Sequence, residues 1–74
     1  MALIDVVSEM TGTIWKIQKS VGDAVEQDEI LIIIEAMKME IPVMAPEAGT
    51  VAEILVEEGA MIADGDVVMR LNAV

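Results

Sequence analysis

Gly12-Thr13-Ile14-Trp15-Lys16-Ile17-Gln18 and Gly49-Thr50-Val51-Ala52-Glu53-Ile54-Leu55 lie 37 residues apart, and each opens a stretch of 25 residues that aligns with the other without a gap. Residues 12–36 match 49–73 with five identities: Gly12/Gly49, Thr13/Thr50, Ile17/Ile54, Gly22/Gly59 and Ala36/Ala73. Ile14/Val51, Val25/Ile62, Glu29/Asp66, Ile30/Val67, Leu31/Val68 and Ile34/Leu71 are conservative pairs. The matched glycines set this apart from the chance likeness of any apolar-rich chain. Two like β units packed about a pseudo-twofold axis follow, each too small to bury its own apolar face.

Within each unit the pattern is strand, turn, strand. In the first half, 12–18 reads as a strand, 21–23 and 27–29 as turns, and 30–35 as a second strand. In the second half the strands are 49–56 and 67–72, with turns at 58–59 and 64–66. Short β-branched runs at this spacing predict an all-β sandwich or barrel. Ile14 and Ile17 are an odd number apart, as are Val51 and Ile54, so a bulge is expected between each pair. Ile30-Leu31-Ile32-Ile33-Ile34 is apolar throughout and cannot assign its own faces. Its repeat mate contains Arg70, which resists unpaired burial. The 67/69/71 face therefore points inward, and by analogy so do Ile30, Ile32 and Ile34, with Ile33 on the wetter face.

A chain of 74 residues forms one domain (1–74) and buries only roughly 60% of its unfolded surface. It has no cysteine and no histidine, which argues against disulfides and a structural zinc site. Fourteen acids against four bases give a formal charge of −10, and no basic stripe exists to meet nucleic acid or an anionic membrane. No apolar run approaches the roughly 18 residues of a membrane span, and no basic leader precedes one, so a cytoplasmic setting is the default expectation. Trp15, the one aromatic residue, is expected to be a partly buried anchor.

Between the repeat halves lies a connecting segment, 37–48, and Glu35-Ala36-Met37-Lys38-Met39-Glu40 spans its start. It places one of only three lysines at the centre of symmetry. The simplest geometry is a hairpin with Met37-Lys38 at its tip. Such a tip has no Gly or Asn and would need positive φ at ordinary residues, a strain that often marks function. Pro42 then belongs on an edge strand or points outward. The symmetry makes the centre of the chain and its ends twofold mates, with Lys38 expected at one end of the domain and both termini at the other. An exposed lysine is neutral in only about one copy in 2,500 at pH 7. With no His, Cys or Tyr to act as acid or base, self-contained catalysis is not expected. A displayed lysine of this kind reads as a substrate on which another enzyme forms an amide.

Ala36-Met37-Lys38-Met39 resembles the attachment motif of the biotinyl domains of biotin carboxyl carrier proteins, and Lys38 matches the biotinylated lysine. The likeness runs from about Val7 to Leu71. It implies a flattened β-barrel of two four-stranded sheets, a barrel–sandwich hybrid, with the lysine on an exposed hairpin. It also implies biotin as a covalent cofactor on Lys38, added by a biotin protein ligase. A biotin carboxylase would then load the arm and a carboxyltransferase unload it onto an acceptor such as an acyl-CoA or an oxo acid. The chain would be a non-catalytic carrier. Met37, Met39, Glu35 and Glu40 become candidates for recognition by these partners, although the two methionines have a simpler reading as side chains packed back onto the hairpin. Glu9, Thr11 and Asp28 depart from the residues usual in the family. The halves align without a gap, so the protruding thumb of some bacterial carriers is not expected; the initial Met1 and the lack of those carriers' Ala/Pro-rich linker read as a small free-standing carrier. The sister lipoyl domains share the fold but typically carry Asp before and Ala after the lysine. A lipoyl-type carrier and an unmodified β-barrel adaptor are the rival readings.

Overall fold

A computed structural model describes residues 2–73. Eight strands follow one another: β1 (Ala2–Val7), β2 (Gly12–Ile17), β3 (Ala24–Val25), β4 (Ile30–Ala36), β5 (Met39–Met44), β6 (Gly49–Ile54), β7 (Met61–Ile62) and β8 (Val67–Ala73). They form two antiparallel four-stranded sheets, ordered β1-β8-β6-β3 and β5-β4-β2-β7. Each strand of one sheet has its mate 37 positions away in the other, so the sheets exchange by the repeat operation. The all-β, two-sheet expectation holds.

The symmetry reaches single hydrogen bonds. Gly22 N–H donates to the Val51 carbonyl at 2.9 Å, and Gly59 N–H to that of Ile14 at 2.7 Å. Asp28 and Gly65, likewise mates, donate to the carbonyls of Ala45 and Ser8 at 2.8 and 2.7 Å. These bonds cross between the sheets' edges and connections, which closes the sandwich toward a barrel and satisfies backbone groups that an open edge would leave bare. Asp28 has φ 69° where Gly65 has φ 93°, so the aspartate holds a left-handed turn position that its mate fills with glycine. The short strands β3 and β7 occupy what the sequence showed only as gaps between turns. Two residues are too few for a periodicity to register.

Bulges occur where the spacing predicted them. The register slips between Ile14 and Lys16 in β2, and between Val51 and Glu53 in β6. Ile14 and Val51 are buried as a result, with Ile17 and Ile54 packed against the same core. The extra residue in β2 is Trp15, turned outward beside Lys16. It is 44% exposed, with the Lys16 ammonium 5.8 Å from the ring centroid. The anchoring role expected for Trp15 is therefore wrong, and the bulge is the reason.

A second pair of slips corrects the register of the apolar run. One lies between Ile30 and Ile32 on β4, opposite β5, and its mate lies between Val67 and Met69 on β8, opposite β1. Leu31 and Ile32 both point inward as consecutive residues, and Ile30 is 42% exposed. Val67 is only half-buried, whereas Val68 and Met69 are fully buried. Strict alternation fails here because the bulge inserts one residue and shifts the phase. Ile32, Ile34, Met69 and Leu71 are inward as expected, and Ile33 lies on the wetter face. Ile14, Val51, Ile32, Ile34, Met69 and Leu71 are at most 1% exposed and form the centre of one core.

Met1 and Val74, the termini themselves, lie outside the described residues. Their neighbours Ala2 and Ala73 pair with each other, in the place that Met39 and Ala36 hold in the opposite sheet. From Val7 the chain crosses by residues 8–11 and enters the second sheet at Gly12, beside Glu35. The molecule extends 36 Å along its longest axis, against 17 Å in each other direction.

Turn residues carry one ion pair that links fold to pH. Lys19 donates to Glu29, whose other carboxylate oxygen accepts Glu26 N–H at 2.9 Å. The Lys19 hydrogen bond first, and the Glu26 amide second, hold the Glu29 carboxyl below the usual carboxylate range. A carboxyl so lowered contributes stability above its unfolded-state titration and loses it as pH falls through the folded-state value. Glu29→Gln is expected to lower the urea midpoint at pH 7, and the difference from wild type should shrink to nothing in acid. Urea titrations across that range check this. A difference unchanged by pH would assign the effect to the turn's shape instead of its charge.

Candidate functional site

β4 and β5 pair without a break from Ile32/Val43 to Ala36/Met39, leaving Met37 and Lys38 as a two-residue connection. Both are left-handed, at φ 50° and 64°. Two consecutive positive φ values define the type I′ turn whose twist matches its flanking strands. Asn-Gly is the usual solution, and Met-Lys costs roughly 1–2 kcal/mol per residue in this conformation. The tight loop therefore comes from strand pairing on both sides, not from local preference. Replacing the first residue, Met37→Asn, is expected to raise stability by about 0.5–1 kcal/mol, read as a higher thermal midpoint. No gain would mean that the turn is not strained at this position.

Below the tip, Ala36 is buried and anchors the hairpin to the core. Pro42 sits on β5, an edge strand, and is exposed, which is where a residue without an N–H is tolerated. Lys38 is exposed, and among the described residues it takes part in no ion pair. Lys19 and Arg70 differ: Lys19 is bound to Glu29, and Arg70 Nε lies 2.9 Å from Asp5. Met37 is 90% exposed and Met39 63%. The simpler reading, methionines packed back onto the hairpin, fails for both. Glu35 and Glu40 are exposed and face each other in register. Like charges directly opposite are unfavourable by a few tenths of a kcal/mol to about 1 kcal/mol, and neither carboxylate pairs with Lys38.

All five residues singled out in the sequence thus meet on one hairpin end. Two concavities elsewhere, one lined by Ile54, Val56, Met61 and Val67 among others and one by Met10, Ile41 and Met44 among others, include none of them. The arrangement has a nucleophilic atom but no base, no enclosing pocket and no oxyanion donors. The hairpin end itself supplies no group to take the Lys38 proton and no pocket to exclude water, so an activating environment would have to come from a partner. A projecting turn on a rigid sheet is the shape for entering such a site. The residue types therefore fit a covalently attached group and not one held in a cavity.

The comparisons agree with this geometry. A profile of the family described as "Biotin-requiring enzyme" matches residues 3–71. The chain is 39% identical over 64 residues to the biotin/lipoyl attachment protein of Bacillus subtilis, covering 86% of this chain and 88% of that one. It is 47% identical over 57 residues to the biotin carboxyl carrier protein of Streptococcus mutans, covering 77% of this chain and 44% of the relative. The crystal structure of the urea carboxylase of Kluyveromyces lactis superposes with a TM-score of 0.92 at 42% identity, over 97% of this chain and 6% of that enzyme. The chain thus spans nearly all of a small relative and a small segment of a large carboxylase. With a rigid all-β sandwich, a lysine on a strained projecting turn and a profile match over almost its whole length, the chain belongs to the biotin/lipoyl attachment family of carrier domains.

Proposed function

We propose that the protein is a biotin carboxyl carrier, that Lys38 is its attachment residue, and that it serves a biotin-dependent carboxylase. The single observation behind this reading is the Met37-Lys38 turn, where an unpaired ammonium and an apolar side chain are held outward at a cost in backbone strain. In the proposed reaction a biotin protein ligase presents biotin as its adenylate. Lys38 Nζ, deprotonated in the ligase, forms the amide as AMP leaves, and one positive charge is lost from the carrier. Once attached, biotin supplies the ureido ring on which carbon dioxide travels. This chain's own residues keep the arm's root outside the fold. They bury Ala36 so the root does not swing, and they present Met37, Met39, Glu35 and Glu40 for recognition by ligase and carboxylase. Tethering replaces free diffusion between a biotin carboxylase and a carboxyltransferase by a high effective concentration at both. The acceptor proposed is an acyl-CoA or an oxo acid.

Intact mass after incubation with a biotin ligase, ATP and biotin tests the reading, with peptide mapping. One biotin on the peptide containing Lys38 is the expected result. No gain, in a mixture where a known carrier is modified, sinks it in favour of an unmodified adaptor. A gain only with a lipoyl ligase and lipoate assigns the sister function.

A further inference from the structure

We infer that Met37 and Met39 are sites of reversible oxidation to the sulfoxide, and that a sulfoxide there switches off attachment at Lys38. The inference rests on the carrier reading of Lys38 and adds a control over it.

The methionines differ sharply in access. Met37 is 90% exposed, Met61 83%, Met39 63% and Met44 49%, whereas Met69 is fully buried in the core. Met10 is partly buried and packed against that core. Oxidation of a thioether is bimolecular, so its rate follows the access of the oxidant to sulfur. The two methionines flanking the reactive lysine are among the three most accessible methionines of the described residues. Neither belongs to the buried core. Met37 buries almost none of its side chain and holds a strained left-handed φ of 50°. An apolar group kept in water at a conformational cost is one whose burial takes place in a partner. A sulfoxide changes that group from a flexible apolar arm to a polar, chiral one. Entering an apolar contact then leaves its oxygen without a hydrogen-bond donor, which opposes binding.

The oxidant class is a hydroperoxide, hydrogen peroxide in the simplest case. The methionine sulfur gives an electron pair to one peroxide oxygen. The O–O bond breaks, the S–O bond forms, and water leaves with both protons. Sulfur is oxidised and peroxide reduced. Hydrogen peroxide is neutral, so the formal charge of −10 does not repel it from the tip. The fold has no cysteine to compete for it. Methionine sulfoxide reductases reverse the change.

The test treats the whole unbiotinylated chain with hydrogen peroxide, removes the oxidant, maps the sulfoxides and measures the initial rate of biotin incorporation by a biotin ligase. Met37 and Met39 should oxidise in step with Met61 and well before Met69. The rate should fall about tenfold or more and return after reductase treatment. A Met61→Leu variant should lose as much activity on oxidation as wild type. A chain oxidised at Met37 and Met39 yet modified at the untreated rate overturns the inference. So does oxidation of Met37 no faster than that of Met69, a loss that reductase does not restore, or a loss abolished by Met61→Leu. If the untreated chain takes no biotin while a control carrier does, the carrier reading itself fails and the switch falls with it.

Discussion

Lys38→Arg is expected to abolish biotin incorporation completely while leaving the fold and thermal midpoint nearly unchanged. The substitution keeps the positive charge and the length of the arm, so electrostatics and solvation at the tip are preserved. It removes the chemistry, because a guanidinium stays protonated in proteins and does not form the amide. The left-handed φ of 64° at this position favours neither residue. Among the described residues Lys38 meets no ion-pair partner, so little stability rides on its identity. Intact mass with ligase and biotin, set beside a thermal melt, separates the outcomes. Biotin on the arginine variant would move attachment to Lys16 or Lys19, the two remaining lysines. Lost incorporation with a collapsed melt would show that the lysine holds the turn. Support of a carboxylase should disappear together with attachment.

Gly49→Ala is expected to be the most damaging of the small substitutions. A Cβ built at Gly49 would lie 2.2 Å from the Asn72 carbonyl oxygen and 3.0 Å from its carbon. Both atoms belong to the backbone of β8, the neighbouring central strand, and cannot swing aside as a side chain can. Relief requires β6 and β8 to separate where Gly49 pairs with Ala73. Overpacking of this kind costs about 3 kcal/mol or more, against a total of about 4–11 kcal/mol for a chain of this length. The thermal midpoint should fall by roughly 10–20 °C. Gly12→Ala, its mate, meets the Glu35 carbonyl at 2.6 Å and Ile34 Cγ2 at 2.8 Å, so its loss should be somewhat smaller. That contact lies at the base of the lysine hairpin, and Gly12→Ala should also slow biotin incorporation when folded. Gly22→Ala has nothing within 4 Å and only its φ of 95° to pay for, a cost of order 1 kcal/mol. Thermal melts of the three variants check the order. Equal losses would show that conformation, and not close approach, is what these glycines supply.

The repeat makes much of this fold legible in the sequence. Five identities at one spacing fixed two like halves, and the odd intervals Ile14–Ile17 and Val51–Ile54 located two bulges. The same shift also aligns Ile4 with Ile41 and Val6 with Val43, the signal that would have revealed β1 as the mate of β5. The second pair of bulges was hidden. Ile30-Leu31-Ile32 is uniformly apolar, and a phase shift leaves no trace where every residue would be content inside. The site was legible in its residue types, since a lysine between methionines at the centre of a repeat has few competing explanations.

The sequence by itself determined the composition of the core, the pseudo-twofold pairing of the halves and the identity of the displayed lysine, because these rest on periodicity, spacing and motif. Only the tertiary structure decided which members of the apolar run face inward, that Trp15 stands out beside Lys16, and that Met37 and Met39 lie in water. Each of those outcomes depends on how two strands register against each other across many residues, and a one-residue slip there exchanges inside for outside without changing the local sequence.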